Sequence, residues 1–145
     1  MLQLKVQVSK LFKQDTASSA VEFALIAPCF LLLIFGLTIY ASVFITLNGI
    51  QQLAAEAARS SVAGLNDTER NTLAQAYIAN NTGAYPFINA QKLTVTAGTT
   101  GTTAPTYQVS LTYDMSSSFI YSFTNVLPLP SPHVIRTAAI QRGGY

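Results

Sequence analysis

SSAVEFALIAPCFLLLIFGLTIYASVF, Ser18 to Phe44, is the stretch whose reading decides the fold. From Phe23 to Leu47 the chain is apolar almost throughout, and no charged residue stands between Glu22 and Glu56. That run exceeds the ~20 residues a helix needs to cross a bilayer. At ~1.5 Å of rise per residue it covers a ~30 Å hydrocarbon core with some tilt. A lone carboxylate, Glu22, stands at its threshold with no Lys or Arg close by in the chain. An acid in that place either has a local structural use or a partner outside the chain.

The flanks give an orientation. Lys5, Lys10 and Lys13 precede the run, whereas the next basic residue, Arg59, follows well after it and beside Glu56. The positive-inside rule then predicts a cytoplasmic N-terminus, with residues from about 50 onward outside. The run is too long for the ~7–15-residue core of a cleaved secretory signal, and Ile39 and Tyr40 before Ala41 make a poor cleavage site. Pro28 beside Cys29 likewise spoils a lipoprotein site, so the single cysteine reads as a small apolar wall of the helix.

Composition narrows the function classes. The 145 residues leave room for one anchor and one small domain. Charged residues make up 10% of the chain and mean hydropathy is +0.34, far from a soluble domain that is about a quarter charged. A formal net charge of +2, without a basic patch, gives no reason to expect a nucleic-acid partner. One cysteine allows neither an intrachain disulfide nor a cysteine-based metal site. No nucleophile, base and acid set or metal cluster can be assembled from the few ionisable residues, so neither an enzyme, a cofactor nor a small-molecule substrate is expected.

Beyond the anchor the helical period continues. In NGIQQLAAEAARSSVAGL, Ile50, Leu53, Ala54, Ala57, Ala58 and Val62 recur at three- and four-residue steps. One continuous helix is expected from about Ser19 to Ala63, stopped by Gly64 and bent near Pro28, where the ring removes a backbone donor. A second, short helix is expected over Asn66–Asn81, capped by Asp67 or Thr68 and ended by GAYP, Gly83 to Pro86. Then the period changes to two. Leu93, Val95 and Ala97 alternate in one strand, and Tyr107, Val109, Leu111 and Tyr113 in a second. GTTGTTAP reads as the flexible connection between them, and a third strand is expected over Val134–Arg142. The intervening SSSFIYSFTNVLPLPSP reads as an irregular apolar cover or a face that meets another subunit. The expected fold is α+β: a long transmembrane and stalk helix, a short second helix and a small antiparallel sheet of about three strands. The expected divisions are a basic leader, 1–17, the anchor and stalk, 18–65, and an extracytoplasmic head, 66–145.

Several residues here support a resemblance. The basic leader, AVEFALIAP, the leucine-rich span, the stalk QQLAAEAARSSVAG and the closing YQVSLTYDM, LPLP and VIRTAAIQR together resemble the TadE-like proteins, minor pseudopilins of the bacterial Tad (tight adherence) pilus and secretion system. The resemblance runs from Ala20 to about Arg142 and is weakest between Asn66 and Gln91. It implies a single-pass protein of the bacterial inner membrane, processed by a prepilin peptidase. It also implies a role in pilus biogenesis and adherence beside other Tad pilins or pseudopilins (TadF-like) and the inner-membrane assembly platform. In Tad-type prepilins the acid is usually the fifth mature residue, after a glycine. Counted back from Glu22, that makes Ser18 the first mature residue and Ala17 the last of the leader, with alanine in the place of the family glycine.

Two readings of Glu22 follow. Ser19-Ala20-Val21-Glu22 fits the S-x-x-E capping box, in which the acid closes back on the backbone at Ser19. In the pilin reading, Glu22 pairs with the free N-terminal amine of a neighbouring subunit and sets axial register. The two are compatible in an unprocessed precursor. Elsewhere, Glu56 and Arg59 read as a solvent-screened pair worth a few tenths of a kcal/mol, which the resemblance also makes a candidate subunit contact. His133 has no cysteine, acid or serine motif near it in the chain and reads as a surface or strand-edge residue. Asn66-Asp67-Thr68 and Asn80-Asn81-Thr82 match the glycosylation tripeptide, a pattern common by chance. Tyr113, Phe119, Tyr121 and Phe123 read as core. Two function classes remain: a structural assembly protein of a pilus-like machine, and a membrane-tethered extracytoplasmic binding module unrelated to pilus assembly.

Overall fold

The computed structural model describes the backbone of residues 2–102 and 105–141, and side chains from residue 18 onward within those ranges. Helix α1 runs Leu2–Ser60 and continues through Pro28. It tightens into a 3-10 turn over Ser61–Ala63, and α2 follows at Asp67–Asn81. Three strands complete the chain: β1 Leu93–Thr100, β2 Thr106–Asp114 and β3 His133–Gln141. They form one antiparallel sheet in the order β1-β2-β3. The chain divides into two compact units, Met1–Ile39 and Tyr40–Tyr145.

Among the described residues of the first unit, most of the large apolar side chains of α1 are exposed. Phe23 is 73% exposed, Leu25 72% and Leu37 64%. Among the described residues, one helix, Ser18–Ala63, is long and apolar enough to cross a membrane. Large apolar side chains exposed all round a helix are what lipid accommodates and water does not.

The second unit is built around the lower part of the same helix. Val43, Ile50, Leu53, Ala54, Ala57 and Ala58 are buried and share one core with Tyr107, Val109, Leu111 and Tyr113 of β2. The alternation in β2 puts those four on one face, and cross-strand register extends that face to Leu93, Val95 and Ala97 on β1 and to Val134, Ala138 and Ile140 on β3. Alanines at three- and four-residue spacing on α1 let the helix lie close to the sheet, and the β-branched and aromatic residues of β2 fill the pleat. Helix α2 adds Ala74 and Ile78 to the same core.

Local chemistry sets the joints. Asn66, rather than Asp67 or Thr68, caps α2: its side chain accepts from the Glu69 amide at 2.9 Å, and the Glu69 carboxylate accepts from the Leu65 amide at 2.8 Å. Asn66 has the extended backbone that a cap requires, whereas Asp67 is already helical. Val62, expected inward, is 60% exposed, and Ser61 is buried in its place with its hydroxyl on the Ala58 carbonyl at 2.6 Å. The cause is the change from 3.6 to 3 residues per turn at Ser61, which rotates every later side chain around the axis. Gly98, Thr99 and Thr100 belong to β1, paired with Gln108, Tyr107 and Thr106, so the connection is shorter than expected. It turns at Gly101, whose φ of 88° suits glycine. Thr103, Ala104 and Arg142 lie outside the described residues.

Candidate functional site

Glu22 sits on an exposed face of α1 among exposed apolar neighbours, including Val21, Phe23, Leu25 and Ile26. Its carboxylate oxygen lies 3.5 Å from the Ser18 hydroxyl, one helical turn earlier. Among the described residues the ion pairs are Arg59–Glu56 and His133–Asp114, so no described cation compensates Glu22. The capping box does not form. A box needs a non-helical residue at its start, and α1 begins at Leu2, so Ser19 lies well inside the helix. No glycine or proline separates Leu2 from Ser19 to end a helix there. The i,i+4 contact between Ser18 and Glu22 remains, and a single hydroxyl does not neutralise a carboxylate. Ala17, on the leader side of the expected cleavage point, lies outside the residues whose side chains are described.

On the stalk, an Arg59 guanidinium nitrogen reaches the Glu56 carboxylate at 2.6 Å, with 68% and 41% of the two side chains exposed. In water a pair of that kind contributes ~0.2–0.5 kcal/mol. Neither residue belongs to the core.

The structure also joins residues far apart in the chain. His133 faces Asp114 across β2 and β3, with Nδ1 3.5 Å from the carboxylate. Hydrogen bonds from Ser116, backbone first and then side chain, hold the Asp114 carboxyl below the usual carboxylate range, and His133 adds to the effect. Strand pairing, invisible in the chain order around His133, makes that contact. Burial raises the Tyr107 hydroxyl above its ordinary value, Asp67 adds to this, and Arg70, over the ring at 5.9 Å, opposes it. The Tyr107 hydroxyl donates to Asn71 at 2.8 Å, and Thr99 donates to Asp67 at 2.9 Å, which ties α2 to the sheet. Both glycosylation matches have structural uses: Asn66 caps α2, and Thr82 is buried with its hydroxyl on the Ile78 carbonyl. Of the four aromatics expected in the core, Tyr113 and Tyr121 are buried, Phe123 is partly covered and Phe119 is 76% exposed.

Two contacts of the LPLP segment had no sequence signal. The Tyr40 hydroxyl donates to the Pro128 carbonyl, and the Tyr121 hydroxyl reaches the Pro130 carbonyl at 3.1 Å. Among the described residues, no group of three or more His, Cys, Asp or Glu side chains is placed to hold a metal ion.

Residues 17–59, the span and the stalk, match the family model described as TadE-like protein. The matched segment begins just before the expected first mature residue, contains Glu22 and ends at Arg59. No curated protein and no solved structure matches the chain.

Proposed function

We propose, from the TadE-like match over the span and stalk, that this protein is a pilin-like assembly protein, a minor pseudopilin acting in Tad-type pilus biogenesis. It is anchored in the inner membrane by Phe23–Leu47 with its N-terminus cytoplasmic and its head outside. The observation that carries this reading is Glu22: a carboxylate without a described cation, at the threshold of an exposed apolar helix, inside the segment that matches the family. An acid at the centre of a membrane helix costs ~2.5–3.5 kcal/mol on insertion scales, with less toward the interface. A neighbouring subunit's N-terminal amine, freed by a prepilin peptidase between Ala17 and Ser18, removes that cost. The attraction acts over a short distance in a medium of low dielectric. A subunit is therefore held at the one axial position where carboxylate and amine meet. The assembly platform and other Tad pilins are the partners in this scheme, and the Glu56–Arg59 face of the stalk is a second candidate contact.

The test is membrane abundance and pilus yield, measured together for Glu22→Gln and Glu22→Ala. Both variants are expected to insert at normal or higher abundance, since the span gains an uncharged residue. Both are expected to reduce pilus yield. Normal yield from the glutamine variant at normal abundance removes the support for charge pairing. N-terminal sequencing with and without the peptidase locates the cleavage, and a reporter after Tyr145 that is active only in the cytoplasm overturns the topology.

A further inference from the structure

The segment from Met115 through Pro132 carries no charged residue, although it lies on the surface of the head. Its apolar side chains are only partly taken into the core. Leu129 packs against the core cluster, while Phe119 and Val126 stand 76% and 65% exposed. The cover is nonetheless held firmly. The Tyr121 hydroxyl grips the carbonyls of Pro130 and Ser131 at 3.1 and 3.3 Å, the Met115 amide donates to the Pro132 carbonyl at 2.9 Å, and the Tyr40 hydroxyl donates to Pro128.

What the segment packs on defines its surroundings. Pro128 and Leu129 face Tyr40, Val43, Phe44 and Leu47 of α1 across an open groove of about 390 Å³. Those four helix residues are the last two turns of the apolar run. A span that starts at Phe23 uses its ~20 residues by about Ser42. The LPLP segment therefore lies beside the part of the helix where the hydrocarbon core gives way to the headgroup region. Tyrosine at this level is the expected interfacial anchor.

The backbone suits the same environment. Proline at 128, 130 and 132 removes the amide donor at each position, and the amides of Val126 and Leu127 both donate to the Phe123 carbonyl at 2.9 Å. The carbonyls of Pro128, Pro130, Ser131 and Pro132 accept in the bonds above. Much of the segment's backbone polarity is thus met within the protein while Phe119 and Val126 are turned outward, which suits a low-dielectric neighbour. Charge stays at the margin of the segment, where Lys92 donates to Ser117 at 2.6 Å and His133 meets Asp114 at 3.5 Å, a placement that suits the headgroup layer around an apolar contact.

We infer that the segment Phe119–Pro130 is a second membrane contact: the head rests on the outer leaflet, with Val126 and Phe119 in the interfacial layer and lipid acyl chain in the groove beside Tyr40. This rests on the reading of Phe23–Leu47 as a span. It adds a function for the head: two points of contact fix how the head is turned on the bilayer before a subunit is extracted, so assembly must release both.

The test uses the full chain in vesicles of phosphatidylethanolamine and phosphatidylglycerol. In a Cys29→Ser background, a polarity-sensitive fluorophore is placed singly at Val126→Cys, at Leu33→Cys in the span and at Thr96→Cys on the exposed face of the sheet. The Val126 probe is expected to be blue-shifted and to lose several-fold more emission than the Thr96 probe to lipid spin-labelled ~5–10 Å below the headgroup boundary. Quenching at Leu33 with Val126 behaving like Thr96 puts the segment in water and overturns the inference while leaving the span intact. No quenching at Leu33 defeats the span, and the inference falls with it. A Val126 probe shielded from lipid, whose emission changes with protein-to-lipid ratio, makes the surface a contact between copies and also overturns it.

Discussion

Gly64→Ala is expected to destabilise the head, because this residue is where the stalk is handed to α2 with no room for a side chain. A Cβ built on Gly64 would lie 2.7 Å from the Arg70 backbone nitrogen and 2.8 Å from Arg70 Cγ, about 0.7 Å short of ordinary contact at 3.4 Å. The Arg70 amide donates to the Asn66 carbonyl at 3.0 Å, and its guanidinium Nε donates to the Gly64 carbonyl at 3.0 Å. Moving Arg70 away therefore loosens both bonds. Overpacking of this kind costs ~1–3 kcal/mol. Against it stands the smaller entropy of an unfolded alanine, worth ~0.4–1 kcal/mol, which applies because Gly64 has an ordinary φ of -76°. The net loss, ~1–2 kcal/mol, corresponds to a fall in Tm of roughly 5–15 °C for a unit of this size. Gly83→Ala supplies the control, since a Cβ there meets nothing within 4 Å. It keeps the entropic gain without the clash, so its Tm should hold or rise. Thermal unfolding of the full chain in detergent, followed by near-UV circular dichroism, reads both. Equal Tm values for the two variants would refute the steric reasoning.

Two further predictions test the surface. Arg59→Ala breaks a solvent-screened pair and is expected to change stability by less than ~0.5 kcal/mol, so any loss of pilus yield at unchanged Tm assigns Arg59 to a subunit contact, and unchanged yield removes that candidate. Asp114 should titrate below the ordinary carboxylate range in a carbon-detected NMR titration. Its folded value is depressed, so its stabilising contribution is complete above the unfolded value and is lost as pH falls through the folded one; Asp114→Asn should flatten that acid arm, and an unchanged arm would show that other groups set it.

Much of this architecture was legible because hydrophobic period survives folding. Ile50, Leu53, Ala54, Ala57 and Ala58 recur at helical steps and are buried; Tyr107, Val109, Leu111 and Tyr113 alternate and are buried. What failed did so where geometry departs from a regular period. Val62 turned outward because the helix tightens at Ser61, and Gly98–Thr100, low in complexity and without an apolar alternation, are held in β1 by pairing with Gln108, Tyr107 and Thr106. The contacts of Tyr40 with Pro128 and of His133 with Asp114 depend on tertiary approach, which chain order does not encode locally. At the candidate site, the charge pattern around Glu22 was plain from sequence. Of the two readings of Glu22, the capping box fails because S-x-x-E marks a helix start only where the chain before it is not already helical.

Glu22 and Glu56 are the same chemical group in the same helix, and their surroundings differ. Glu56 has a guanidinium at 2.6 Å within one turn, and both partners reach water, so the pair is cheap to make and cheap to lose. Glu22 has the Ser18 hydroxyl at 3.5 Å and apolar side chains beside it. For Glu56 the energy at stake is a few tenths of a kcal/mol, below what could hold a subunit in register. In the proposed span, Glu22 carries the larger cost of an acid near lipid, which no cation among the described side chains offsets. In the proposed pairing the other half of the interaction comes from a neighbouring subunit, so assembly rather than folding completes it, and under that proposal subunit entry should depend on the carboxylate at the threshold of the span rather than on the visible ion pair on the stalk.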